Sequence, residues 1–266
     1  MDRVLMLRLQ SHNCAAEVQI NGIAVGRVGS VGGSLCLPVH EYLLAGDNFF
    51  QMVIDPPLAG TDKVGAVSRL AEGFVSAAMR LLLPRLGQPG SELHARTLAS
   101  MDWSAAEGDV YVTSHTERCN ASLPIKFPRW RWLDLPEIKD PESLKPLVTM
   151  YLQGIAIALA RGEVDVFLAA SRLRLEDMAV AYQQSLADVS GRLRARLQLL
   201  HATKAMKMVI PNLDELTLKL CAHGRLLECL GPLGEPALRT TTAPDGTRTS
   251  WPVRVAVVNG QCHILR

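Results

Sequence analysis

The sequence has 266 residues, of which 48% are hydrophobic and 20% charged, and its formal net charge is +2. This composition excludes a disordered chain, and the near-neutral charge gives no long-range field that would attract nucleic acid or an anionic membrane. The length exceeds that of most single domains and favours two domains of ordinary size.

The six cysteines lie along the chain without a CxxC pair or any spacing that suits zinc. A chain of this length can build its core without disulfides, so we expect reduced, mostly buried thiols, no metal site and no cofactor. The sequence opens with Met-Asp-Arg and strand-like alternation, without the apolar segment of a signal peptide. The longest clean apolar run, residues 155–160, is too short to span a bilayer. We therefore expect a soluble, cytoplasmic protein that contacts neither membrane nor nucleic acid.

Residues 3–132 are predicted to be β-structure throughout. The predicted strands are residues 4–10, 16–20, 23–28, 35–39, 49–54 (a central strand), 74–83, 92–103, 109–114 and 123–132. Asn21-Gly22 is a strong hairpin signal, because a type I′ turn needs positive φ at both positions. Counting outward from this turn pairs Ile20 with Ile23 and Val18 with Val25 on one buried face. The other face is polar, as expected for an antiparallel sheet with one side in water.

The hairpin and the segment after it carry a resemblance. "VQINGIAVGRV" is succeeded by "LPVHEYLLAGDNFFQMVI", in which the turn Leu-Leu-Ala-Gly-Asp-Asn at 43–48 leads into a core strand. This order resembles the galactose-binding-like jelly-roll modules that are appended to many sugar-active enzymes. The resemblance implies a β-sandwich; because its motifs are turn chemistry, it says little about a ligand. Sugar binding would need exposed aromatic residues on the loops.

Basic residues and aromatic rings alternate at residues 126–132, "KFPRWRW". On a strand, Arg129 and Arg131 would share one face, and Trp130 and Trp132 the other. Because no wider basic field surrounds them, we interpret the segment as the last strand of the sandwich, with its tryptophans packed inward. The two prolines at 133–141 then mark a boundary. We place the first domain at 1–133, a linker at 134–143 and the second domain at 144–266.

Helical periodicity begins after the linker. Asp140 or Ser143 is predicted to begin a helix whose apolar residues recur every three or four positions to residue 159, and Gly162 to end it. Residues 163–170 are predicted to form a short second helix. From residue 176 to about 204, a regular apolar stripe predicts one long amphipathic helix, in which Gly191 is the candidate break.

Two hairpins are predicted in residues 216–266. Their turns are His223-Gly224 and Asn259-Gly260, which separate strands at 216–222, 225–230, 253–258 and 261–266. Counting from the turns places Lys219 opposite Glu228, as a cross-strand ion pair, and leaves one face of the sheet entirely apolar. We expect the helices to cover that face, since burial of apolar surface is favourable.

Helices followed by a curved antiparallel sheet over residues 144–266 resemble the SnoaL-like (nuclear-transport-factor-like, cystatin-like) α+β cone. The resemblance implies helices over a concave sheet face, where enzymes of this family keep an acid/base Asp or His. The predicted register instead turns the titratable side chains of the sheet away from the helices. The space beneath is therefore apolar, and its nearest polar contacts are Tyr151, Asp165 and Tyr182. General acid/base catalysis needs a titratable group in reach of substrate, and these residues supply no evident pair.

The predicted fold is α+β in two domains: an N-terminal antiparallel β-sandwich followed by a helix-covered curved antiparallel sheet. We expect a non-catalytic binding or assembly protein, an accessory, adaptor or inhibitor that contacts a partner protein and forms a homodimer. The dimer contact is predicted on the half-apolar outer face of the second sheet. Its candidate residues are Lys219, Leu226, Glu228, Arg254, His263 and Leu265. Two alternatives stay open: a small-molecule-binding protein or enzyme of the SnoaL-like type using the apolar pocket, and a carbohydrate-binding module.

Overall fold

The computed structural model describes residues 4–55, 74–85, 94–105 and 113–266. The chain divides into two compact units, Met1–Pro128 and Arg129–Arg266, a few residues before the boundary predicted at residue 133. Through the described ranges the protein combines α-helices with antiparallel sheets, which confirms the α+β class. Most of the strand predicted at 109–114 lies outside the described residues.

The described part of the first unit consists of two four-stranded antiparallel sheets. Their orders are β4-β1-β6-β7 and β3-β2-β5-β8, with strands β1 (Met6–His12), β2 (Ala15–Ile20), β3 (Ile23–Val28), β4 (Gly32–Pro38), β5 (Gly46–Asp55), β6 (Ser76–Pro84), β7 (Ala95–Ser104) and β8 (His115–Leu123). Strand β5 lies between β2 and β8, as its apolar run predicts. Its Phe50, Met52 and Ile54 are fully buried, so alternate residues of β5 form part of the core.

The β2–β3 hairpin is closed by Asn21 and Gly22, both at positive φ, as the type I′ prediction requires. Ile20 pairs with Ile23 as predicted, but a bulge then shifts the register, so that Val18 faces Gly26. The predicted Val18–Val25 pairing is therefore wrong. A Cβ at Gly26 would lie 3.2 Å from the side chain of Leu35, so a larger residue at this position would require that leucine to shift slightly.

Two buried asparagines join this hairpin to the turn before β5. The Asn21 side chain donates to the Asn48 Oδ1 atom at 3.0 Å and to the Tyr42 carbonyl at 2.9 Å. Asn48 also accepts from the Leu44 amide at 2.7 Å and donates to the carbonyls of Leu44 and Gly46, both at 2.9 Å. The two amide side chains thus supply hydrogen-bond partners to backbone groups that are buried at Tyr42 and partly buried at Leu44 and Gly46.

The prediction of a strand at residues 123–132 is wrong. Strand β8 ends at Leu123, and Arg131–Asp134 form a single turn of 3-10 helix. Proline cannot donate to a sheet ladder, and Pro124 and Pro128 interrupt the segment. The tryptophans at 130 and 132 are nevertheless buried, at 1% and 0% exposure.

The second unit contains helices α1 (Pro141–Ala160), α2 (Val164–Ala170), α3 (Arg172–Ala181) and α4 (Leu186–Ala202). A four-stranded antiparallel sheet comes next in the order β14-β13-β10-β9, with a separate two-stranded pair β11-β12. The strands are β9 (Thr217–Cys221), β10 (Leu226–Leu230), β11 (Leu238–Arg239), β12 (Ser250–Trp251), β13 (Arg254–Val258) and β14 (Gln261–Ile264). Asp140 caps α1 by accepting from the Glu142 and Ser143 amides, so the first of the two predicted starts is confirmed. Gly162, at φ +82, ends the helix as predicted.

The long helix predicted from residue 176 is in fact two helices, and the break does not fall at Gly191. Gln183 adopts a left-handed conformation with φ 51. The Ser185 hydroxyl then caps α4 by accepting from the Asp188 amide at 3.0 Å. Gly191 lies inside α4. The end of α3 at Gln183 and the cap of α4 at Ser185 therefore both precede Gly191, and the chain turns back between the two helices.

The registers of both C-terminal hairpins are confirmed. Leu220 pairs with Leu227 and Glu228 with Lys219 in the first hairpin, and Ala256 pairs with His263 in the second. The apolar face is covered by the helices, as predicted: alternate residues of β9, β10, β13 and β14 pack in one core with α1, α2 and α4. The turn sequences thus determine which side chains face the helices.

We predict that Asn48→Ala lowers the free energy of unfolding by about 2–4 kcal/mol, because it leaves the Leu44 amide and the Asn21 side chain without their buried partner. The measurement is urea denaturation followed by far-UV circular dichroism. Asn120→Ala is the control, since Asn120 is exposed on β8. A loss no larger for Asn48→Ala than for this control would contradict the structural role of the pair.

Candidate functional site

The three predicted pocket residues are not brought together. Tyr151 lines a cavity of about 380 Å³. Asp165 is largely exposed and pairs with Arg194 at 2.6 Å, which lowers the pKa of its carboxyl group through the hydrogen bond from that arginine. Tyr182 is half-buried at the C-terminal end of α3. The predicted set Tyr151, Asp165 and Tyr182 therefore does not form one site.

The cavity beside Tyr151, here called the β14 cavity, lies between α2, α3 and the edge strand β14. It is lined by Tyr151, Ala169, Ala170, Arg172, Leu173, Glu176, Cys262 and His263. Burial raises the pKa of Tyr151 to about 12, so its phenol is neutral at physiological pH. The carboxylate of Glu176 accepts from Arg172 at 2.8 Å, and this hydrogen bond lowers the pKa of Glu176. The cavity thus offers a neutral hydroxyl and an ion pair.

His263 is the exception to the predicted separation of titratable groups from the helices. The predicted register assigns it to the outer face, yet it lines the β14 cavity together with Cys262, although the register of β14 is as predicted. The reason is that β14 is the edge strand of its sheet. An edge strand has a neighbouring strand on one side only, so side chains from both of its faces can border the same cavity.

The outer sheet face is not an open docking surface. Of the six residues predicted to line it, Leu226, Glu228, Arg254 and Leu265 are each less than a tenth exposed in the single chain. Arg254 donates to Glu228 at 2.8 Å, and these two residues pair across β10 and β13. Lys219 is exposed and His263 partly buried. A second copy could reach only those last two side chains without rearrangement.

A buried ionic cluster, which the sequence did not predict, surrounds Asp177 on α3. Its carboxylate accepts from Arg131 at 2.9 Å and from Arg266 at 2.8 Å. Arg266 is 1% exposed, and its guanidinium lies 5.5 Å from the centre of the Trp130 ring, a cation–π distance. The cluster joins α3, the segment before α1 and the C-terminal residue beyond β14.

A second cavity of about 380 Å³, here called the α3–α4 cavity, opens on the other side of α3. Its lining is apolar apart from three arginines and two serines. The lining residues are Phe167, Ser171, Arg174, Leu175, Met178, Val189, Arg192, Leu193, Arg196, Ser250, Trp251 and Pro252. Sequence reasoning missed this cavity because it treated α3 and α4 as one helix; the only signal was the alternating arginines at 192, 194 and 196.

The cysteines show no sign of reactivity. All six thiols are free, and Cys14, Cys221 and Cys229 are buried. Burial raises the pKa of Cys262 to about 11 and that of Cys221 to about 12, so both are neutral thiols at physiological pH. Within the described ranges, no three His, Cys, Asp or Glu side chains are grouped to hold a metal ion.

Helix α1 is apolar on its outer side as well as its inner side. By length and composition alone it is the one helix of the described chain that could cross a membrane. Its inner residues, among them Leu152 and Ile155, lie in the core. Its outer residues Met150 and Ile157 are 64% and 39% exposed. A core helix normally carries polar residues on such a face.

Neither a protein-family model, nor a curated protein, nor a solved structure matches this chain.

We predict that Asp177→Ala lowers the free energy of unfolding by about 3–5 kcal/mol, because it leaves the buried Arg266 charge without its partner. Glu176→Ala is the matched control: Glu176 is the adjacent residue, but its ion pairs are partly exposed, so its loss costs roughly 1 kcal/mol or less. Chemical denaturation of the two variants measures the difference. Equal losses of unfolding free energy in the two variants would contradict a stabilising role of the Asp177 cluster.

Proposed function

We propose that this protein is a non-catalytic binding and assembly protein that acts in the cytoplasm and forms a homodimer. In this proposal the first unit is a β-sandwich of the galactose-binding-like jelly-roll kind, and the second a SnoaL-like cone. The buried Asn21–Asn48 pair supports the first assignment, because it joins the hairpin and the turn on which the resemblance depends. The helix-covered antiparallel sheet of the second unit supports the other.

The observation that carries the proposal is an exposed apolar surface on the second unit, here called the α1 patch. It consists of Met150, Gly154 and Ile157 on α1, with Ile210 and Leu213 beside them. The Gln153 side chain donates to the Pro211 carbonyl at 2.8 Å, which holds residues 210–213 against the helix. The four large side chains of the patch are 39–64% exposed. Contiguous exposed apolar surface of this kind marks interaction sites.

A second copy of the chain suits the α1 patch because its arrangement is nearly symmetric about Gly154. Met150 lies one helical turn before the glycine, and Ile157 about one turn after it. Apart from the adjacent residues and the backbone of α1 itself, no described atom lies within 4 Å of the position that a Gly154 Cβ would occupy, so a second helix can approach closely there. In a two-fold interface each patch meets its own copy, and Met150 of one chain would pack on Ile157 of the other. This contact takes the place of the sheet-face dimer, four of whose six residues are buried.

The charges of the second unit support binding over catalysis. The buried carboxylates of Asp177, Glu228 and Glu235 each accept from an arginine within 2.7–2.9 Å. Carboxylates paired in this way are engaged in structural contacts, and a general acid or base must instead be available to a substrate.

The second candidate function is small-molecule binding in the β14 cavity, favoured by the neutral Tyr151 hydroxyl beside His263. Carbohydrate binding by the first unit is the third candidate. Its support is the ring of Trp103, which stacks on that of His115 with centroids 5.3 Å apart. Sugar binding would also require an aromatic ring that is exposed to solvent.

The test of the homodimer is sedimentation velocity over a range of protein concentrations. Met150→Glu should raise the dimer dissociation constant by about a hundredfold or more, because it places a carboxylate without a partner against the apolar side chain of Ile157 in the second copy, and burying an unpaired charge is costly. Leu199→Glu is the matched control: Leu199 is also 64% exposed on a helix but lies outside the patch. A monomeric wild-type protein, or a dimer that survives Met150→Glu, would overturn the proposal.

A further inference from the structure

The α3–α4 cavity combines an apolar interior with a cationic rim, and these features point to one ligand chemistry. We propose that it binds an amphiphilic monocarboxylate, a molecule with an apolar chain and one carboxylate. The cavity volume of about 380 Å³ falls in the range of roughly 300–1,000 Å³ that is typical of ligand pockets. The site is separate from the α1 patch and the β14 cavity and does not depend on either.

The interior suits the chain of such a ligand. Phe167 and Trp251 meet edge to face, with ring centroids 6.3 Å apart, and both line the cavity. Leu175 and Val189 continue this surface from α3 and α4. An alkyl chain placed here exchanges water for ring and aliphatic contacts, which is the favourable direction of transfer.

The rim suits the carboxylate. Arg174, Arg192 and Arg196 line the cavity, and none of its lining residues is acidic. Arg192 donates to the side-chain oxygen of Gln184, which is neutral, and it pairs with no carboxylate in the described part of the chain. Among the described residues Arg196 has no carboxylate within ion-pair distance. Arginine recognises carboxylates through paired, charge-assisted hydrogen bonds.

Ser171 provides an independent sign of a polar ligand atom. Ser171 lines the cavity and is 1% exposed. Among the residues that the structure describes, its hydroxyl has no hydrogen-bond partner, although it stands at the junction of α2 and α3, where serine often caps a helix. Buried hydroxyl groups are nearly always hydrogen-bonded. A carboxylate oxygen in the cavity would supply the missing acceptor.

Helix α4, which carries Arg192 and Arg196 of the rim, also supplies an internal control. Arg194 lies between Arg192 and Arg196 in sequence but does not line the cavity. Its guanidinium pairs with Asp165 at 2.6 Å. Removing Arg194 therefore subtracts the same charge from the same helix without changing the proposed site.

The experiment is a titration of the full-length protein with decanoate below its micellar concentration, followed by tryptophan fluorescence. The signal should saturate and should be largely absent in Trp251→Phe, since Trp251 is the tryptophan that lines the cavity. Arg192→Ala with Arg196→Ala should raise the decanoate dissociation constant by about a hundredfold, roughly tenfold for each lost charge-assisted contact. Arg194→Ala should change it less than about threefold.

Two further probes separate head-group from chain recognition. Decanol, which lacks the charge, and acetate, which lacks the chain, should each bind at least about tenfold more weakly than decanoate. Non-saturable decanoate binding, equal losses in the Arg194→Ala variant and the double variant, or decanol binding as tightly as decanoate would each overturn the proposal. The arginine variants alter side chains that reach solvent, and unchanged thermal unfolding confirms that they fold.

Discussion

The second unit depends on one buried carboxylate, that of Asp177. A buried charge is tolerated only when paired and hydrogen-bonded, and Asp177 is paired with Arg131 on one side and Arg266 on the other. These arginines come from opposite ends of the unit in sequence. Their pairing therefore fixes α3 to the segment before α1 and to the C-terminal residue beyond β14. Because α3 is held on that side, its other side can border a cavity instead of packing tightly.

The second constraint is the chain reversal between α3 and α4. Gln183 leaves the right-handed helical region and Ser185 caps the next helix, so the two helices pack as a pair around Val189 and Leu175. A single straight helix with the same apolar stripe would present its arginines to solvent along one side. The reversal instead turns Arg174 on α3 and Arg192 on α4 toward a common opening. Local turn chemistry thus converts an ordinary amphipathic pattern into a candidate binding site.

The sequence predicted best where turn chemistry is specific. Asn259-Gly260 and His223-Gly224 determined the register of both C-terminal hairpins, and the apolar face beneath the helices resulted from it. Prediction failed where packing between distant segments decides. The burial of Leu226 and Leu265 depends on coverage by other segments, which no local pattern encodes. The break at Gln183 is different, because its signal, the cap at Ser185, is local and is obscured by the continuous apolar stripe. His263 reached a cavity only because its strand is an edge, which depends on the order of strands.

The two proposals concern separate surfaces of the second unit: the apolar surface on α1 for a second copy of the chain, and the α3–α4 cavity for an anionic ligand. The most direct test of the cavity is photolabelling with a decanoate analogue that carries a diazirine at the end of its chain, followed by peptide mapping by mass spectrometry. The account predicts that the label attaches to residues around Phe167, Met178 or Trp251. Labelling that instead concentrates on α1, or on the first unit, would contradict it.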